Sequence, residues 1–152
     1  MSLSEPLVAD SEVVCDVAVV GAGPAGLMVA EQLAQAGLSV RVFEAKASAA
    51  RKFLMAGKGG LNLTHSEEFA SFVTRYGSRT EELTPWLQHW GAEELKAWAK
   101  SLGFDTFVGT SGRVFPADMK AAPLLRAWLV RMKAQGVKFH MRHRWLGWDA
   151  DG

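Results

Sequence analysis

Three observations predict an α/β fold with parallel strands for this 152-residue chain. An apolar, β-branched run at 13–20 reads as a buried strand and stops at glycine. Leu27, Ala30, Leu33 and Ala34 then recur at helical spacing within 24–36, and Gly37 stands where a helix C-cap is wanted. A second β-branched run at 40–43, with Val40, Val42 and Phe43, follows directly. Strand, helix and strand in that order make a β-α-β unit, in which the two strands lie parallel and adjacent.

The turn between the first strand and the helix reads GAGPAG at 21–26, and each glycine has a physical reason. Gly21 permits the tight turn, Gly23 lets backbone approach a pyrophosphate, and Gly26 lets the helix pack close to the sheet. A glycine inside a helix costs about 1 kcal/mol relative to alanine, so Gly26 needs such a reason. The helix starting at Pro24 would point its unpaired amides and positive dipole end at phosphate. Glu44 ends the second strand, 18 residues after Gly26, where an acid can accept hydrogen bonds from ribose hydroxyls. Together these features predict a dinucleotide site, and the acid disfavours a 2′-phosphate.

Composition sets the outer limits. With 49% hydrophobic and 22% charged residues, the chain suits about one globular domain. The net charge of +1 gives no global case for nucleic acid. Segment 119–148, however, has seven Lys and Arg and no Asp or Glu. It is expected to be a solvated face or a partner of the acids Glu67, Glu68, Glu81, Glu82, Glu93 and Glu94, with no nucleic-acid role. The single cysteine, Cys15, reads as a small buried apolar residue. No run approaches 18 apolar residues and 1–12 lacks the pattern of a secretory signal, so a cytoplasmic protein with no membrane contact is expected.

Farther along, 45–64 is too glycine-rich to be one regular element. Thr64-x-x-Glu67 reads as a capping box opening a helix to about 75, and Ser78-x-x-Glu81 as another opening a helix to about 90. Gly91 separates these from a helix at 92–102 that Gly103 ends. Strands at 104–108 and 113–115 flank the turn Gly109-Thr110-Ser111-Gly112, with Pro116 breaking the second. A helix at 121–135, capped by Gly136, precedes a third parallel strand at 137–142. Residues 144–148 could form one arm of a further hairpin, and 149–152 has turn chemistry. Six tryptophans (86, 90, 98, 128, 145 and 148) are expected to pack the helical segment and its contacts. His140 and His143 would point to opposite faces of a strand, so no metal site is expected.

Three blocks carry a specific resemblance: GAGPAG at 21–26, RKFLMAGKGGLNLTH at 51–65, and GRVFP at 112–116 followed by Lys120. Together they resemble the BaiN/RdsA-like NAD(P)/FAD-dependent oxidoreductases, flavoproteins of the glutathione-reductase-like kind. The resemblance implies a Rossmann-like FAD-binding domain at 13–152, with a helical insert at about 64–103 and a short β-hairpin, after a disordered tail at 1–12. It implies FAD as the dinucleotide and NAD(P)H as reductant. Gly21, Gly23, Pro24, Ala25 and Gly26 would surround the pyrophosphate, and Glu44 and Ala45 would meet the adenosine ribose. Lys52, Gly57, Lys58, Gly59, Gly60 and Asn62 would approach the rest of the cofactor.

Lys52 and Lys58 also have a plain reading as solvated loop cations, Asn62 and Thr64 as turn and cap residues, and His65 as a polar residue near a helix start. Family members are longer and return to the site with a later glycine-rich strand, so the domain is expected to be incomplete and the missing C-terminal half to be its partner. Two alternatives stay open. One is a non-catalytic nucleotide-binding or protein-interaction module, and the other is direct binding of NAD.

Overall fold

The computed structural model describes residues 14–148. The expected tail at 1–12, the start of the first strand reading at 13 and the expected turn at 149–152 lie outside the described residues. Strand β1 (Val17–Val20), helix α1 (Pro24–Gln35) and strand β2 (Val40–Glu44) follow in the predicted order. Strand β6 (Lys138–Met141) comes last and pairs with β2, giving a parallel sheet of order β1-β2-β6. Between β2 and β6 lie α2 (Arg51–Ala56), β3 (Thr64–His65), α3 (Phe69–Thr74), α4 (Thr80–His89), α5 (Ala92–Ser101), β4 (Thr106–Val108), β5 (Arg113–Pro116) and α6 (Ala121–Ala134).

The register sorts the parallel sheet into two faces. Val17, Val19, Val40, Val42, Phe139 and Met141 share one side, because Val17 sits beside Val40 and Val42 beside Phe139. Helices α1 and α6 cover that side, where Leu27, Ala30, Val40, Val42, Leu125, Trp128 and Met132 form the core. The apolar stripe read for α1 is therefore right for Leu27 and Ala30, and that read for α6 for Leu124, Leu125, Trp128 and Met132. Gly37 and Gly136 take positive φ just beyond the two helices, as the caps require.

The other side of β1 is not buried as its sequence predicts. Ala18 is exposed and Val20 is 57% exposed. An apolar β-branched run is also what an edge strand with one open face looks like, and periodicity alone cannot separate the two. Cys15 lies just before β1 and is half-buried.

The middle of the chain also departs from its local sequence signals. Thr64 and His65 pair with Val114 and Arg113 as strand β3, so the order of the antiparallel sheet is β3-β5-β4. The Thr64-x-x-Glu67 capping box does not form. His65 Nδ1 accepts from the Glu67 amide and the Glu67 carboxylate pairs with Arg75, which holds its pKa below the usual value. Strand pairing has overridden a local helix signal.

Ser78-x-x-Glu81 fails as a capping box as well, since residues Gly77–Arg79 form a 3₁₀ turn and α4 starts after it. Helix α4 runs through Pro85 without a break, and Thr84 Oγ1 donates to the Thr80 carbonyl at 2.7 Å beside it. Helix α5 has the reciprocal acid that its sequence offers: Glu94 Oε2 accepts from the Gly91 amide at 2.9 Å, which lowers the Glu94 pKa. Pro116 ends β5 from inside the strand, paired with Thr106. Residues 144–148 form no strand.

Candidate nucleotide site

Gly21, at φ +100°, takes the backbone out of β1, and its amide donates to the Phe43 carbonyl at 2.8 Å. Such a φ is open to glycine at no steric cost. A Cβ on Gly26 would stand inside contact distance of the Gly21 carbonyl oxygen, so α1 can sit this close to the sheet only with glycine there. A Cβ on Gly23 would meet nothing within 4 Å. One glycine is thus required by the protein's own packing, while the other leaves open space at the N-cap of α1. Pro24 occupies the first helical position, where its missing N–H costs nothing. The amides of Ala25 and Gly26 lie in that first turn, which has no intrahelical acceptors for them.

Glu44 crosses from β2 to this loop. Its Oε2 accepts from the Ala22 amide at 2.9 Å and its Oε1 from the Lys46 amide at 2.8 Å. A carboxylate offers about four acceptor positions, so both oxygens retain capacity for ribose hydroxyls. The Ala50 amide donates to the Ala22 carbonyl at 2.7 Å, tying the segment after β2 to the same loop. Ala50 takes φ +53°, a left-handed conformation uncommon without glycine.

The result is a cleft of ≈ 580 Å³ lined by Ala22, Gly23, Pro24, Glu44, Lys46, Ser48, Ala50, Arg51, Lys52 and Met55. Beside it lies an apolar cleft of ≈ 440 Å³, which shares Pro24 and Lys52 and adds Asn62, Phe53, Leu61, Trp90, Trp98 and Trp128 among its lining. The sequence-predicted residues Gly23, Pro24, Glu44 and Lys52 therefore converge on the first cleft, with Gly21, Ala25 and Gly26 shaping its loop. Ala45 is exposed beside Glu44.

The later glycine loop does other work in the described residues. Gly57 gives close passage to Ala121 of α6, and Gly60, at φ +114°, passes against Met119. Lys58 and Gly59 are exposed and line neither cleft. The Asn62 amide, turned so that its nitrogen faces them, reaches the carbonyls of Thr64 and Val114 at 2.8 and 3.2 Å.

Arg51, Lys46 and Ser48 were missed by motif reading. The signal for the two cations was their cluster with Lys52 directly after Glu44, which is suited to phosphate charge, while Ser48 carried no such signal. His65 is not at this cleft, because its Nε2 sits 3.0 Å from the Ser111 carbonyl in the antiparallel sheet. His140 and His143 do not point apart as expected: Arg142, at φ +62°, turns the chain after β6 and leaves the two rings 5.5 Å apart, both near Phe43. No group of three metal-ligating side chains occurs among the described residues.

A parallel sheet with a glycine turn, a close-packed helix and an acid at the next strand end defines a Rossmann-type nucleotide-binding domain. The model of the HI0933-like protein Rossmann domain matches residues 15–152, and the chain belongs to that family, the BaiN/RdsA-like flavoproteins. The thiamine thiazole synthase of Pyrococcus horikoshii is 37% identical over 67 residues, covering 44% of this chain and 27% of that protein. The ribosomal RNA dihydrouridine synthase of Haemophilus influenzae is 49% identical over 49 residues, 32% of this chain and 12% of that protein.

Among solved structures, a 3-ketosteroid-Δ4-(5α)-dehydrogenase from Rhodococcus jostii superposes with a TM-score of 0.61 at 16% identity, covering 89% of this chain and 39% of that one. THI4 from Thermovibrio ammonificans gives 0.51 at 20% identity, covering 84% and 38%. These two likenesses establish the fold. The chain spans well under half the length of each of these proteins. No described helix is long and apolar enough to cross a membrane.

Proposed function

We propose that this chain is the FAD-binding part of a flavin-dependent NAD(P)H oxidoreductase of the cytoplasm. The observation that carries this reading is the contrast between Gly26, closed by packing, and Gly23, open toward the cleft, within a chain of a flavoprotein family. When bound, FAD supplies hydride transfer at its flavin N5. The chain's own residues bind and orient. The open face of Gly23 admits a pyrophosphate, and the first-turn amides of α1 donate to it. Lys46, Arg51 and Lys52 offset its charge, and Glu44 holds the ribose while fixing the loop through the Ala22 amide.

The remainder of the catalytic machinery belongs, in this reading, to a C-terminal half that covers the open face of the parallel sheet. Support comes from the exposure of Val20, Trp145 and Trp148 around a cleft of ≈ 500 Å³ that also includes Ala18, Phe43 and His143. Parallel sheets are as a rule covered on both faces.

The reading is tested by steady-state NAD(P)H oxidation with added FAD and a quinone acceptor, alongside FAD binding. Binding without oxidation by this chain fits an FAD-binding part that needs the rest of the protein. Displacement of FAD by NAD at equal concentration would favour direct NAD binding, which Glu44 also permits. A second reading concerns the acceptor of the hydride. One relative acts by name on ribosomal RNA, and Lys120, Arg126, Lys133, Lys138, Arg142 and Arg144 are exposed with no ion pair to a described acid. Salt-dependent binding of a ribosomal RNA fragment would support it, and salt-independent or absent binding would remove it.

A further inference from the structure

A buried acid stands behind the apolar cleft, bonded to two of the residues that line it. Glu31, on the inner side of α1, is fully buried. Its Oε2 accepts hydrogen bonds from Trp98 Nε1 of α5 at 3.0 Å and from Trp128 Nε1 of α6 at 2.9 Å. Its Oε1 lies 2.6 Å from Arg131 Nε, and Arg131 donates in turn to Ser101 Oγ at 2.7 Å. The two indoles meet edge to face with centroids 4.8 Å apart. Both rings also line the apolar cleft that shares Pro24 and Lys52 with the nucleotide cleft.

Such a charge is an expensive way to join three helices. A buried ion pair is often matched or bettered in stability by apolar residues of similar volume, so stability alone does not explain it. What the carboxylate does that an apolar residue cannot is satisfy the indole N–H of buried Trp128 and of half-buried Trp98 from one oxygen, which fixes both ring planes.

We propose that Glu31 is a positioning residue, holding Trp98 and Trp128 as wall and floor of a cleft for a planar, uncharged aromatic ring. The ring is the apolar half of the ligand whose phosphates the glycine loop holds, so the proposal rests on the nucleotide reading above. The shared lining residues Pro24 and Lys52 put the two clefts within the span of one molecule. Trp98 belongs to the helical segment and Trp128 to the sheet-covering helix, so the same acid also sets the angle between those two parts.

The experiment separates the two halves of the ligand. ADP, which carries the diphosphate, ribose and adenine but no flavin ring, is titrated by calorimetry, and lumiflavin, which carries only the flavin ring, by quenching of tryptophan fluorescence. The expected result is saturable lumiflavin quenching in the parent chain. In Glu31→Gln, lumiflavin affinity falls about tenfold, the scale of one weakened charge-assisted hydrogen bond. ADP affinity in that variant stays within about twofold, as for uncoupled sites. The near-ultraviolet circular dichroism of the edge-to-face indoles weakens in parallel.

Should Glu31→Gln fail to fold, Trp98→Phe is read in the same way, since it keeps the bonds of Glu31 to Trp128 and Arg131. Unchanged lumiflavin affinity in a folded variant, equal loss of ADP and lumiflavin, or no lumiflavin quenching in the parent chain would each overturn the proposal. Lumiflavin binding without ADP binding in the parent chain would instead remove the nucleotide reading and leave Glu31's role over the ring cleft standing.

Discussion

The two faces of the parallel sheet are made from the same three strands, yet one is a packed core and the other is open. On the covered face Val40 and Val42 are at most 2% exposed beneath Trp128, at 1%. On the open face Val20 is 57% and Trp148 83% exposed, and the polar atoms are tied locally, with Arg41 3.3 Å from His140 and Phe43 stacked on the His140 ring. The difference teaches where stability and function separate in this chain. The covered face carries the fold, and its upper rim, where Gly21 to Gly26 and Glu44 meet, carries the candidate site.

The largest effect expected from this contrast is at Trp128. Trp128→Ala should lower unfolding stability by about 3–5 kcal/mol in a denaturant titration, since it empties the core and strands Glu31. A loss below about 1 kcal/mol would mean that the covered face is not the centre of stability. Next comes Gly26→Ala, whose Cβ must push α1 from the Gly21 carbonyl. A cost of about 1–3 kcal/mol by the same measurement is expected, the range for overpacking.

A smaller effect concerns the anchor of β1. Asp16 accepts from the Ser39 amide at 2.7 Å and from Ser39 Oγ at 2.8 Å, and these bonds hold its pKa below the ordinary 3.8. A lowered folded-state pKa means that its contribution is full above the unfolded value and fades as pH falls through the folded one. Asp16→Asn should therefore flatten the stability curve below about pH 4 and leave its shape at neutral pH unchanged. A variant as acid-sensitive as the parent would show that the anchor does not hold β1. The smallest effect is at Val20 on the open face. Val20→Thr should shift stability by no more than about 0.5 kcal/mol, as exposed sites do. A cost near that of Trp128→Ala would erase the contrast.

Much of this was legible in the sequence because the β-α-β unit is written in local terms. Glycine at φ +100°, proline at a first helical position and an acid at a strand end each act within a few residues of where they stand. Long-range pairing was less legible. Thr64 became a strand because Val114, far along the chain, was there to pair with it, and no capping pattern records that. Glu31 looked like any polar residue of an amphipathic helix, since its partners Trp98, Trp128 and Arg131 come from other helices. The basic segment was expected to be a solvated face or a partner of the acids of the helical segment, and Lys120, Arg126, Lys133, Lys138, Arg142 and Arg144 are indeed exposed. Glu67, Glu82 and Glu93 pair locally instead, with Arg75, Arg79 and Lys96, and among the described residues Arg131 is the one cation of the basic segment in an ion pair, with Glu31, an acid that the expectation had not named.

In the proposed function the glycine loop binds the pyrophosphate of FAD through open space at Gly23. This binding is tested most directly by titrating FAD against the parent chain and Gly23→Val, following flavin fluorescence with melting measured alongside. Saturable binding by the parent chain is expected, with a variant that melts normally but has lost at least about tenfold in affinity. A normally folded Gly23→Val that binds FAD as the parent does, or a parent chain that shows no binding at high micromolar FAD, would contradict it.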